Sequence, residues 1–354
     1  MKILIKNGRV WNGQNFVYAD ILTENNIISK VQKDISENAD YIFDASGMTV
    51  MPGLVDAHVH MKGISCDQFG INVEMSCMPF GVTAAVDAGG GLGDESLLRS
   101  FAVKSIVMPG ISIVNNKPDF KVWEQTAKKY EESCVGIKVY FDIFVSEVKN
   151  IKPFMEIVDF AEEKNLPIMV HSSNPPVSMA ELMSCMRKGD ILTHAYHGGT
   201  NNVADDDFVC IAEAKKRGVI IDAGLAGNVH TDFDIFRRAI ASGAIPDIIS
   251  TDITRASAYK RGGKYGMTMC MSIARHLGMS EEDIFRSVTS NPAKAFGKKN
   301  EWGYIEVGRC ADIAVLQIAD EGFDMTDKTG NRVCSESGYR CMLTVADGEV
   351  MYKF

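Results

Sequence analysis

The stretch Met51-Pro-Gly-Leu-Val-Asp-Ala-His-Val-His60 constrains this chain more than any other. An apolar run over Thr49–Val55 leaves a Pro-Gly turn and ends in two histidines one residue apart. On a strand, residues i and i+2 share a face, so His58 and His60 aim at one point where the strand stops. Two imidazoles on one rigid element make half of a metal cage. The plainer alternative is a strand-capping histidine beside a solvated one, and the rest of the chain has to decide between them.

With 354 residues, 46% hydrophobic and 23% charged, the chain is long enough for one large α/β domain plus an accessory one. The formal net charge of −9 argues against nucleic acid or an anionic membrane surface as partner. No signal-peptide core opens the sequence, and no apolar run reaches the roughly 18 residues of a membrane helix. Nine scattered cysteines without a Cys-x-x-Cys pair read as reduced thiols, which points to the cytoplasm. The expected partners are a small-molecule substrate and further copies of the chain in a homo-oligomer, with no nucleic acid and no membrane.

Residues 1 to about 50 read as short strands with Asn7-Gly8 and Asn12-Gly13 as hairpin signals. From Thr49 on, apolar strands alternate with helix-period segments. The strands are Thr49–Val59, Val82–Asp87, Ser105–Val114, Val135–Phe141, Pro167–Ser172, Ile191–His194, Val219–Ala223 and Asp247–Asp252. Helical periodicity marks Val122–Glu132, Val148–Lys164, Pro176–Lys188, Asp205–Arg217 and Phe233–Ser242. Eight buried strands with crossovers fit an α/β fold, a (β/α)8 TIM barrel over residues 51–301 closed by Ser280–Ala295. An open doubly wound sheet is the rival, but it normally carries a Gly-rich phosphate loop after its first strand. Gly89-Gly-Gly-Leu-Gly93 follows the second strand without that spacing and reads as a flexible loop. After residue 300 the texture returns to β, so segments 1–50 and 302–354 are expected to complete one small β-sandwich domain.

In such a barrel the chemistry sits at the C-terminal strand ends. There the sequence offers His58 and His60, then Lys138 in Val135-Gly-Ile-Lys-Val-Tyr140, His171, His194 and Asp252. Taken singly, a strand-end histidine is often a half-exposed cap and an aspartate the N-cap of the next helix; the set is harder to explain that way. Lys138 is the odd member, because an ammonium in a barrel interior is costly and would repel cations. It either snorkels to solvent or reacts as the neutral amine with CO2, becoming an anionic carbamate able to bridge two divalent ions.

The ordered set His58-x-His60, Lys138, His171, His194 and Asp252 resembles the amidohydrolase superfamily in its binuclear form with a carboxylated lysine. Thr289-Ser-Asn-Pro-Ala-Lys-Ala-Phe-Gly297 and Gly303-Tyr-Ile-Glu-Val-Gly-Arg-Cys-Ala-Asp312 match outside the ligands, so the likeness spans the whole chain. It implies one metal on His58, His60 and Asp252, a second on His171 and His194, and bridging by carboxylated Lys138 and a hydroxide. It further implies attack of that hydroxide on an amide or ester carbonyl, with Asp252 as general acid/base. Two Zn2+ ions are the expected cofactors, although Mn2+, Co2+ and Fe2+ suit the same donors. Local texts such as Met169-Val-His-Ser-Ser-Asn-Pro-Pro176 are similar to a bacterial subgroup of deacetylases for small N-acyl or O-acyl acids, often labelled adenine deaminase or dihydroorotase.

Two positions depart from relatives. Lys62 stands where dihydroorotases carry an arginine, and Gly224-Leu-Ala-Gly227 replaces a Gly-His-Gly. Alternatives are a cyclic-amide hydrolase like dihydroorotase or hydantoinase, a mononuclear deaminase, or a non-catalytic scaffold. Of the other histidines, His197 is a candidate substrate contact, His230 reads as solvated loop and His276 as surface or packing. Met267, Met269 and Met271 read as adaptable core. Arg255, Lys260 and Arg261 are candidate anchors for a substrate carboxylate.

Overall fold

The computed structural model describes residues 1–61, 70–91, 93, 95–226, 229–260 and 264–354, with only the backbone of Lys260. Seven parallel strands lie side by side in chain order: Leu54–Val59, Val82–Gly89, Lys104–Ile111, Ile137–Tyr140, Ile168–His171, Ile191–Thr193 and Ile220–Ile221. Nearly every residue in them is buried, as expected where helices cover a parallel sheet. The eighth segment forms no continuous strand. It makes parallel bridges at both ends of the sheet instead, Asp222 with Ile248 and Val59 with Ile253.

Both chain termini share a second sheet of eight strands, ordered Glu349–Lys353, Gly338–Ala346, Ile313–Ala319, Thr49–Pro52, Lys2–Trp11, Phe16–Glu24 and Ile27–Gln32, with Tyr41–Asp44 also paired to Lys2–Trp11. Its core joins Ile3, Ile5, Val10 and Ile21 to Ile313, Val315, Leu343 and Val345. Thr49–Pro52 links the halves, parallel to Arg9–Val10 and antiparallel to Ile313–Leu316.

The single strand expected over Thr49–Val59 is therefore two strands in two sheets. Gly53 is the joint: its N–H donates to Asp312 O, and a Cβ there would lie 2.0 Å from Thr83 Oγ1. Asn7-Gly8 is likewise no hairpin turn. Lys2–Trp11 runs through it with a bulge, Asn7 at φ +61, and Gly8 leaves room for Val50. Asn12-Gly13 does form the expected turn into Phe16–Glu24.

Phe233–Ser242 is helical to the residue expected, capped by Asp232. Ser280–Ala295 is instead broken into Glu281–Ser287 and Ser290–Ala295, because Pro292 has no N–H and its ring excludes an α-helical carbonyl at Val288. Two residues of the glycine loop are tied to one tyrosine: Tyr130 Oη donates to Gly90 O and accepts from Gly93 N. The eight described cysteines are free, and among described residues no helix is long and apolar enough to cross a membrane.

Candidate metal centre

All six candidate ligands converge at the C-terminal ends of the parallel strands. His58 lies in the first and His60 just beyond it. Lys138 is the second residue of the fourth, His171 ends the fifth, His194 follows the sixth, and Asp252 sits in the eighth segment. All are buried, Lys138 completely. The rings of His58 and His60 are 5.2 Å apart, as are those of His58 and His194; those of His171 and His194 are 4.6 Å apart.

Second contacts decide which nitrogen of each ring faces the centre. His194 Nδ1 is 2.6 Å from Gly224 O. A carbonyl only accepts, so Nδ1 carries the proton and Nε2 a lone pair. For His58 the argument runs through a relay. Thr193 Oγ1 donates to Asp222 Oδ2 at 2.7 Å and so accepts from His58 Nδ1 at 3.1 Å, again leaving Nε2 unprotonated. Asp222 is anchored in turn by Ser250 and Gly224 N–H. Burial pushes its carboxyl up to about 6 against these hydrogen bonds.

Asp252 has a carboxylate within 2.8 Å of His60 Nε2, 3.3 Å of His58 Nε2 and 3.8 Å of His194 Nε2. Burial raises its pKa, yet the hydrogen bond from His60 holds it below the usual carboxylate range. Its backbone sits at φ +46, and His194 at +59, left-handed conformations that L-residues rarely adopt and that concentrate at functional sites. The strain is held by neighbours: Thr251 donates through N and Oγ1 to Asp56, and Tyr265 Oη donates to Thr251 O.

Lone pairs of His58 Nε2 and His194 Nε2 therefore face a carboxylate with no proton between them, and His194 Nε2 is buried without a hydrogen bond. Unsatisfied buried acceptors are costly, and a divalent cation satisfies several at once. Two donor groups suit one, His58 with His194 and Asp252, and His171 with His194 and His230. Lys138 Nζ lies 3.0 Å from His58 Nε2, with burial lowering its pKa to about 8.

His230, expected in solvent, is instead at this centre, its ring 4.2 Å from that of His194. No spacing in the sequence announces it. Asp222 had a readable signal, a carboxylate inside the apolar run Val219–Ala223. Asp142 also enters, 3.4 Å from His171 Nε2 and bonded by Asn174 Nδ2. His197 is fully buried, with Nε2 unpartnered and Nδ1 accepting from Gly199 N. His276 packs against Phe323. Arg255 opens the Arg255–Lys260 helix, while Lys62, Gly227, Arg261 and the Lys260 side chain lie outside the described residues.

This centre should make the metal-free protein acid-labile. Burial lowers the pKa of five imidazoles, His58 and His194 well below 6.5, His171 to a lesser degree, and His197 and His230 to about 3. Below pH 6.5 the unfolded chain binds protons that the folded chain refuses, so stability falls as pH drops from 6.5 towards 3. The slope is up to about 1.4 kcal/mol per pH unit for each group. Asp56 and Asp222, raised by burial to about 7 and about 6, act in the opposite sense between 3.8 and those values. Five groups outweigh two. The urea midpoint of metal-free protein should drop steadily below pH 6.5; a midpoint that rises on acidification contradicts this balance.

The comparisons agree with the geometry. The sequence profile of the amidohydrolase family matches residues 49–334. A deacetylase of Enterococcus faecalis (strain ATCC 700802 / V583) is 28% identical over 372 residues, covering 98% of both chains. The crystal structure of a dihydroorotase superposes with a TM-score of 0.87 at 23% identity, and that of an adenine deaminase with 0.86 at 25%, each covering 99% of both chains. The shared fold implies a TIM barrel for the parallel sheet.

Proposed function

This chain belongs to the amidohydrolase family, a metal-dependent hydrolase acting on carbon–nitrogen bonds, and we propose that it deacylates small polar N-acyl or O-acyl acids with two divalent cations. The observation that carries this reading is the convergence of unprotonated imidazole nitrogens on the Asp252 carboxylate around a fully buried lysine. The similarity to the E. faecalis deacetylase supports removal of an acyl group.

In this reading His58, His60 and Asp252 would hold one cation and His171 and His194 the other, with Lys138, as a carbamate, supplying anionic oxygens between them. Zn2+ suits these nitrogen and oxygen donors. When bound, the cations act as Lewis acids that acidify water and polarise the scissile carbonyl. Lys138 is prepared for carboxylation by burial, which leaves part of its amine neutral near pH 8. The amine lone pair forms the N–C bond to CO2, one C=O electron pair moves to oxygen, and the nitrogen's proton passes to water, giving an anion in place of a cation. Asp252 accepts the proton of the attacking water on a carboxylate oxygen and delivers it to the leaving nitrogen or oxygen. Asp222, through Thr193, keeps His58 in the tautomer that binds metal.

We further read the terminal sheet as a β-sandwich of residues 1–50 and 302–354 on a closed eight-stranded barrel of 51–301, in a cytoplasmic homo-oligomer. The test of function is release of free acid from a panel of N-acetyl amino acids and O-acetyl hydroxy acids by zinc-loaded protein, beside dihydroorotate and hydantoin. Hydrolysis of acetylated acids alone is the expected result. Turnover confined to the cyclic amides overturns the deacylase reading, and absence of turnover with no bound metal overturns the hydrolytic centre.

A further inference from the structure

The segment carrying His230 is fastened from several sides. Gly198 N donates to His230 O, Thr231 bridges His197, and Asp232 N donates to Tyr196 O. Thr231 Oγ1 donates to Leu225 O. The Asp232 carboxylate caps Asp234 and Ile235, and accepts from Thr329 and Asn331 of the C-terminal segment. His230 is thus placed by the fold, as a ligand has to be.

Its side chain is aimed as well as held. Nδ1 lies 2.8 Å from Ser173 Oγ, two residues beyond His171. Nε2 is 3.7 Å from Asp252 Oδ2, and the ring is 4.9 Å from that of His171. One nitrogen each of His171, His194 and His230 lies within 4.8 Å of the other two. With Nδ1 engaged by Ser173, His230 turns Nε2 towards the same space as the Nε2 lone pair of His194.

We propose that His230 is a third nitrogen ligand of the cation held by His171 and His194, giving that ion an all-imidazole face. The inference rests on the two-cation reading above. Three neutral imidazoles suit a borderline divalent ion such as Zn2+ or Co2+, and a neutral ligand tightens binding without changing the charge of the centre. Ser173 acts as a positioning residue, holding the His230 ring by its Nδ1.

The test is metal binding without substrate. Wild type, His230→Ala, His230→Gln and Ser173→Ala are equilibrated against graded zinc buffers, and zinc per chain is measured by elemental analysis. Thermal melts of the metal-free proteins report folding, and visible absorption of the Co2+ forms reports nitrogen ligation. Wild type should hold two ions. Both His230 variants should release one at zinc levels where wild type keeps two, an affinity loss of at least ~10–100-fold, with changed Co2+ bands; Ser173→Ala should shift the same way but less. Folded His230 variants that keep both ions at wild-type affinity overturn the inference and make His230 a substrate-facing group. Wild type holding fewer than two ions overturns the two-cation reading itself, and that result is visible before any variant is made.

Discussion

Replacing Lys138 with alanine should reduce hydrolysis by at least ~10³-fold, equivalent to about 4 kcal/mol of transition-state stabilisation, and should lower metal content below two ions per chain. The side chain is completely buried, and its Nζ lies 3.0 Å from His58 Nε2. As an amine it can only donate to a nitrogen that a cation would otherwise occupy; as a carbamate it supplies two anionic oxygens to the same space. Lys138→Met separates charge from packing, since it keeps the stem but cannot react with CO2. It should be as inactive as the alanine variant. Added propionate should restore part of the metal content and activity to Lys138→Ala, where truncation leaves room, and not to Lys138→Met. Full activity with two ions in either variant removes the bridge from the mechanism.

Asp252→Asn should lower kcat by on the order of 10³–10⁴, the range for loss of a positioned acid/base, with a smaller effect on KM. Asparagine is the informative replacement because it tolerates a left-handed backbone, and Asp252 sits at φ +46. Alanine would add backbone strain to the lost chemistry. Asp252 Oδ1 also lies 2.8 Å from His60 Nε2, a contact that an amide oxygen can still accept, so the metal-free variant should melt close to wild type. Lost turnover without lost stability is the pattern of a residue kept for function. A variant that is both unstable and inactive would instead assign Asp252 a structural role, and one that keeps wild-type kcat removes it from proton transfer.

The pattern of lost and retained function in these variants concerns residues that were legible before any coordinates. Each of the six candidate ligands closes or occupies an apolar run whose length and alternation are local properties. The alternation that puts His58 and His60 on one face is a matter of chain geometry. The buried position of Lys138 follows from its place between Ile137 and Val139. Asp222 was equally visible, as a carboxylate within Val219–Ala223, and only its role was not.

Where local reading failed, something distant in sequence had intervened. Thr49–Val59 has the composition of one strand, but Gly53 has to clear Thr83 and donate to Asp312, so the chain divides between two sheets. Asn7-Gly8 has the chemistry of a hairpin, but pairing with both Phe16–Glu24 and Tyr41–Asp44 carries the strand through it as a bulge. His230 lies in a segment without periodicity; Tyr196, Leu225, Thr329 and Asn331 fix it in place.

By itself, then, the sequence determined the six strand-end candidates, the strands they end or occupy, and their balance of imidazole, amine and carboxylate. These depend on a repeat of two residues along a strand and on where apolar runs stop. The tertiary structure alone decided which nitrogen of each ring faces inward, because that is set by Thr193 against His58, 135 residues apart, and by Gly224 against His194. It alone brought in His230. A hydrogen bond is sensitive to tenths of an ångström between segments with no sequence relation, and only the closed fold fixes such distances.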